Sequence, residues 1–145
     1  MPTVADASAP PDVLVDTSVA VALVVADHEH HDAVVAALGS RRLGLAGHAT
    51  FETFSILTRL PPPARRPASV VEQVMRSNFP ASRFLDSADT AALFGRLAGL
   101  GIAGGAVYDA LVGAVSVAER LPLVTRDARA VEVYRALDVD FELIG

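Results

Sequence analysis

The chain contains no cysteine. Disulfide bridges and thiolate zinc sites, zinc fingers among them, are therefore excluded, and a reducing cytoplasm is the expected location. Lysine is absent too, all 12 basic residues being arginine. Arginine suits bidentate phosphate contact, but the 26 alanines of the same chain point to a compositional bias that would favour arginine by itself. Long apolar runs are missing. The longest, Val19 to Ala26, has 8 residues, whereas a bilayer span needs about 20, so no membrane partner is expected. Residues 1–12 are read as a flexible tail, because Met1 to Pro11 hold no Lys or Arg and no apolar core of signal-peptide length. A basic footprint is also lacking, the net charge being −5. That argues weakly against a nucleic acid held by bulk electrostatics alone. The argument is weak because a bound metal ion dominates its surroundings and turns an acidic pocket into a phosphate site.

What is present is enough for one domain, residues 13–145, since 52% of the 145 residues are apolar. Val13-Leu14-Val15-Asp16 is a short continuous apolar strand of the kind buried on both faces of a parallel sheet. Thr17-Ser18 can cap a helix from about Val19 to Val25, and His31 to Leu38 has helical apolar spacing closed by Gly39-Ser40. Leu43 to Ala46 forms a second strand. A helix follows from about Ala49 to Arg59, stopped by Leu60-Pro61-Pro62-Pro63. Ser69 to Ser77 is expected to be helical, Arg83 to Asp86 a third strand, and Asp89 to Leu100 and Ala106 to Arg120 two further helices. Leu121 to Thr125 is strand, Asp127 to Leu137 helix, and Val139 to Leu143 a fifth strand. Strands alternating with helices predict an α/β fold with a mostly parallel sheet of about five short strands and helices on both faces.

Four acids stand where acids are costly. Asp16 ends the first strand, Asp127 follows the strand ending at Thr125, and Glu52 and Asp109 sit in largely apolar helical stretches. A charge removed from water needs a partner, and three of the four have no obvious cation beside them in sequence. In open α/β sheets ligands bind outside the carboxyl ends of the strands, near the point where strand order reverses. Asp16 and Asp127 both fall at such ends, 111 residues apart, and Asp109 and Glu52 lie on helices able to lean over the same crevice. Two such charges about 4 Å apart repel by roughly 4 kcal/mol at an effective dielectric near 20. Oxygen-only ligation selects hard cations such as Mg²⁺ or Mn²⁺, which bind substrate phosphates beside one or two carboxylates.

Taken in order, Val13-Leu-Val-Asp16-Thr17-Ser18, Phe51-Glu52, Val107-Tyr-Asp109-Ala-Leu111 and Leu123-Val-Thr125-Arg126-Asp127 resemble the successive motifs of the PIN-domain nucleases. More closely they resemble VapC-type toxins of bacterial toxin–antitoxin modules. Each motif alone is unspecific; together, in order and at spacings of 36, 57 and 18 residues between the acids, they are specific. The resemblance implies an α/β/α sandwich with metal-dependent endoribonuclease activity on RNA. It further implies a homodimer and neutralisation by a cognate VapB-type antitoxin whose C-terminal segment occupies the active-site groove. By the same match Asp16, Glu52, Asp109 and Asp127 would hold Mg²⁺ or Mn²⁺, with Thr17, Ser18 and Thr125 as supporting hydroxyls.

Arg59, Arg65 and Arg66 frame the proline loop and, with Arg126, are candidates for contacting RNA or an acidic antitoxin segment; solvated loop charges account for the first three equally well. Each acid also has a plainer reading, Asp16 and Asp127 as helix caps and Glu52 and Asp109 as exposed helix flanks. Gly99-Leu-Gly101-Ile-Ala-Gly104 matches G-x-G-x-x-G but follows a helix where dinucleotide binding requires a strand. His28-Glu29-His30-His31 resembles a metal cluster, yet neighbours in sequence do not share a helix face. Tyr108 either stacks on a base or packs in the core. A catalytically inactive RNA- or antitoxin-binding module is the alternative function. A phosphoacceptor receiver domain is disfavoured, because that family's chemistry uses a lysine.

Overall fold

The computed structural model describes residues 12–145. The expected tail lies outside the described residues as far as Pro11, while Asp12 already opens the first strand. Strand β1 (Asp12–Val15) leads through Asp16 into α1 (Thr17–Val24), α2 (His31–Leu38) and β2 (Arg42–Leu45). Helices α3 (His48–Thr58), α4 (Ala68–Asn78), α5 (Ser87–Leu97) and α6 (Ala106–Glu119) follow. The chain closes with β3 (Leu123–Thr125), a 3-10 turn (Ala128–Ala130), α7 (Val131–Ala136) and β4 (Phe141–Leu143). Among the described residues, no helix is long and apolar enough to cross a membrane.

The four strands form one sheet in the order β2-β1-β3-β4, and every pairing is parallel. Burial explains the central strand. Val13, Leu14 and Val15 are all buried, and helices cover the sheet on both sides, which is why β1 is uniformly apolar rather than alternating. Chain order runs from β1 to β2 on one side and resumes at β3 on the other. The reversal point of the sheet therefore lies between β1 and β3, the two strands that carry Asp16 and Asp127 at their carboxyl ends.

The sheet has four strands among the described residues rather than about five, because the expected strand Arg83–Asp86 reduces to a single bridge between Ala46 and Arg83. Its backbone does run beside the edge of β2. Ala81 N donates to Leu43 O at 3.0 Å and Arg83 N to Leu45 O at 3.1 Å, but the Leu45 N–H is taken by the Ser82 hydroxyl at 2.9 Å. A side chain thus replaces the backbone acceptor midway, and regular pairing stops. The close approach also depends on Gly44, where a Cβ would collide with the Ala81 carbonyl.

Candidate active site

Asp16 is 5% exposed. Its position follows from the local chain: β1 ends, the backbone turns, and the Asp16 carboxylate caps α1 by accepting from Val19 N at 3.3 Å. The same carboxylate accepts from Ser18 Oγ at 2.6 Å and from the phenol of Tyr134 at 3.1 Å. Burial raises its pKa above the ordinary carboxylate value, and donation from Ser18, Thr125, Val19 and Tyr134 opposes the rise. Capping and a place in the acidic cluster are therefore held by one residue. Asp127 repeats the pattern, accepting from Arg129 N at 3.0 Å to start the 3-10 turn.

The charges of the other three acids all act on Asp109. Burial, followed by the charges of Asp127, Asp16 and Glu52, pushes its carboxyl up to about 6, and Arg129 pulls it the other way. Only Asp16 is fully buried; Glu52, Asp109 and Asp127 are half-buried. Two of the acids also have partners that adjacency in sequence did not reveal. Glu52 Oε1 lies 3.2 Å from His48 Nε2, one turn earlier on α3, and Glu52 Oε2 accepts from Thr17 Oγ1 at 2.9 Å. Asp127 Oδ1 lies 3.4 Å from Arg129 Nε.

All three hydroxyls named from the sequence touch this set. Thr17 holds Glu52, and Ser18 donates to Asp16 while accepting from Arg126 N at 3.0 Å. The buried Thr125 hydroxyl accepts from Asp127 N at 3.0 Å. The arginines divide. Arg126 is half-buried, with one terminal nitrogen on the Ser18 carbonyl at 3.3 Å and its Nε buried without an acceptor, so it braces the two strand ends. Arg59, Arg65 and Arg66 are exposed. Arg65 turns its Nε to Leu60 O at 2.8 Å, and Arg66 Nη1 reaches Pro63 O at 2.7 Å.

Sequence reasoning missed Tyr134, His48 and Arg129. His48 carried a signal, standing four residues before Glu52 on one helix face. Tyr134 carried none: it reaches Asp16 because Gly113 on α6 offers no side chain at the point where the Tyr134 ring packs. The His28–His31 segment is accounted for locally, since His31 Nδ1 bonds Ala22 O at 3.0 Å and ties α2 to α1. The Gly99–Gly104 stretch follows α5, as expected, and forms the turn into α6.

Among the described residues, no three His, Asp or Glu side chains form a ready ligand set; as placed, Asp16 and Glu52 meet protein donors. The donor chemistry nonetheless fits a hard divalent cation. Its ligating atoms would all be carboxylate oxygens, and three like charges bear on Asp109 with one exposed arginine against them.

The family model of the PIN domain matches residues 13–136, a span that contains all four acids. The chain belongs to the PIN-domain family. The chain is 44% identical over 129 residues to Ribonuclease VapC27 of Mycobacterium tuberculosis, covering 89% of this chain and 94% of that protein. Ribonuclease VapC40 of the same species is 46% identical over 133 residues, covering 89% and 96%. The resemblance of the chain to VapC-type PIN ribonucleases is thereby borne out. A solved structure, VapBC2 from Rickettsia felis bound to a DNA fragment from their promoter, matches with a TM-score of 0.66 over 91% of this chain and 98% of that chain. At 14% identity that likeness speaks for the PIN fold alone.

Proposed function

We propose that the chain is the endoribonuclease toxin of a toxin–antitoxin module, acting in the cytoplasm as a homodimer, dependent on Mg²⁺ or Mn²⁺ and restrained by a VapB-type antitoxin. The observation that carries the reading is that the charges of Asp127, Asp16 and Glu52 all act on the part-buried Asp109, with Asp16 and Asp127 at the ends of the two strands that flank the reversal point of the sheet. The names of the two ribonuclease relatives support the substrate class. The antitoxin follows from the VapC-type resemblance, which the names of the same relatives support.

Asp16, Glu52, Asp109 and Asp127 would hold the cation. When bound, it supplies an acidified water, orientation of the phosphate and neutralisation of charge on the leaving oxygen. The chain's own part is positioning. Ser18 and Tyr134 fix the Asp16 carboxylate, Thr17 and His48 fix that of Glu52, and Ser18 links the ends of β1 and β3 through the Arg126 amide. Locked side chains of this kind keep reacting groups in line without reorganisation. Arg59, Arg65 and Arg66 are the proposed contacts to RNA or antitoxin, and Arg126 acts from within by holding the strand ends.

The test is cleavage of a defined RNA pool with Mg²⁺ or Mn²⁺, with the cut ends mapped. Asp16→Asn is expected to fold and to abolish cutting, as is EDTA treatment of the parent. Cutting by Asp16→Asn at the parental rate would overturn the mechanism. RNA bound but uncut by the parent in Mg²⁺ would instead establish a binding module.

A further inference from the structure

Tyr108 is 52% exposed on the first turn of α6, immediately before Asp109. It is not part of the core. Its ring stacks on His48, with centroids 5.0 Å apart and planes inclined by 21°. His48 in turn sets its Nε2 3.2 Å from Glu52 Oε1. Each member of the stacked pair is therefore tied to one of the four acids, Tyr108 to Asp109 through the backbone and His48 to Glu52 through its side chain. An aromatic ring of this size left half in water forgoes the stabilisation that burial would bring, and the His48 ring beneath it restricts the directions in which it can turn.

We propose that the Tyr108–His48 pair is a platform on which an unpaired RNA base, flanking the phosphate held at the four acids, stacks. Stacking suits this site. It needs one open aromatic face, and it accepts any base because every base has a π-face. Splaying a base out of a single strand is also how proteins commonly engage RNA. The platform would hold the strand beside the acids while the acids act on the backbone. The inference rests on the proposed RNA-cleaving function, and binding can be measured separately from cleavage.

The probe is a short fluorescein-labelled single-stranded RNA, titrated in Mg²⁺ against full-length Asp16→Asn protein, with and without Tyr108→Ala or Tyr108→Phe. A second RNA carries abasic riboses in place of its bases. Removing base stacking by alanine substitution corresponds to a weakening of about five- to 150-fold. Tyr108→Ala is expected to weaken binding of the base-bearing RNA within that range. Tyr108→Phe should stay within about twofold, because the stacking face persists. The abasic RNA should bind weakly and equally to all. Tyrosine emission gives a second readout: the chain has 2 tyrosines and no tryptophan, and Tyr134 is buried, so quenching by RNA reports on Tyr108 and should vanish in Tyr108→Ala.

Equal affinity of Tyr108→Ala and its parent for the base-bearing RNA overturns the platform. So does a loss of cleavage rate with unchanged binding, which would assign the pair to ordering Glu52. Undetectable RNA binding by every protein overturns it as well. Cleavage by the unmodified chain with any of these results leaves the proposed function standing, whereas RNA bound but never cut removes that function and not the platform.

Discussion

The hydroxyl of Tyr134 lies 3.1 Å from Oδ2 of Asp16, across 118 residues of sequence. Burial, and after it the charges of Asp16 and Asp109, raises the phenol's pKa, so it stays protonated and donates. Tyr134→Phe keeps the ring and removes the donor. A buried hydrogen bond to a charged group contributes about 1.5–3 kcal/mol, so urea unfolding should show a loss of that order. Cleavage should fall as well, since the Asp16 carboxylate is then held by one donor fewer. An unchanged stability would show that Asp16 is held without Tyr134.

Asp109 gives the metal-free protein a pH signature. Its folded carboxyl sits at about 6 against an ordinary 3.8, so between these values the folded chain binds more protons than the unfolded one. Stability contributed by this group therefore falls as pH rises through that window, and the loss is complete above it. Asp109→Asn removes the charge and should gain in Tm on its parent from about pH 4 to about pH 7, with the gap level beyond. Added Mn²⁺ should raise the parent's Tm at neutral pH more than the variant's. A gap independent of pH would contradict a carboxyl raised by burial and by its acidic neighbours.

Ser18 serves two strand ends at once, donating to Asp16 and accepting from the Arg126 amide. Ser18→Ala leaves both partners short of a hydrogen bond in a part-buried setting. About 1–3 kcal/mol of stability should be lost, together with much of the cleavage activity. Ser18→Thr keeps the hydroxyl and should recover most of both. Failure of Ser18→Thr to rescue would point to packing rather than to the relay.

Arg65 uses its Nε on the loop carbonyl of Leu60, and Arg66 one terminal nitrogen on Pro63. Each retains further donors on an exposed guanidinium. Replacing both by alanine should weaken RNA binding and flatten its dependence on salt, by about 0.7 in log–log slope for each phosphate of a single strand that is no longer neutralised. A parental slope would assign the two side chains to bracing the loop.

Gly113 lets α6 and α7 approach, because a Cβ there would stand 3.0 Å from both the Tyr134 ring and a Val139 methyl. Gly113→Ala should cost about 1–3 kcal/mol through overpacking, as measured by urea unfolding. It should also disturb Asp16 through Tyr134. A stable variant with full activity would mean that α7 can shift without moving the phenol.

Much of this molecule is legible residue by residue. The uniform apolar run of β1, the proline stop after α3 and the capping acids are local decisions, set by burial period, backbone sterics and unsatisfied amide groups within a few residues. The expected strand at Arg83–Asp86 failed for an equally local reason with a distant partner: Ser82 answers Leu45, 37 residues away. No pattern within one segment encodes that exchange.

Asp16 and Asp127 could be placed at strand ends from sequence, because a strand is recognisable from its own residues and its carboxyl end is where parallel sheets bind ligands. That Asp109 feels both of them, and that Tyr134 reaches Asp16, was decided by the tertiary structure, whereas His48 and Arg129 stand within four residues of the acids they partner, Glu52 and Asp127. Proximity across the sheet depends on strand order and on small side chains such as Gly113 between packed helices. The acids are therefore written in the chain as isolated residues, and become one electrostatic unit only when parallel strands set their carboxyl ends side by side.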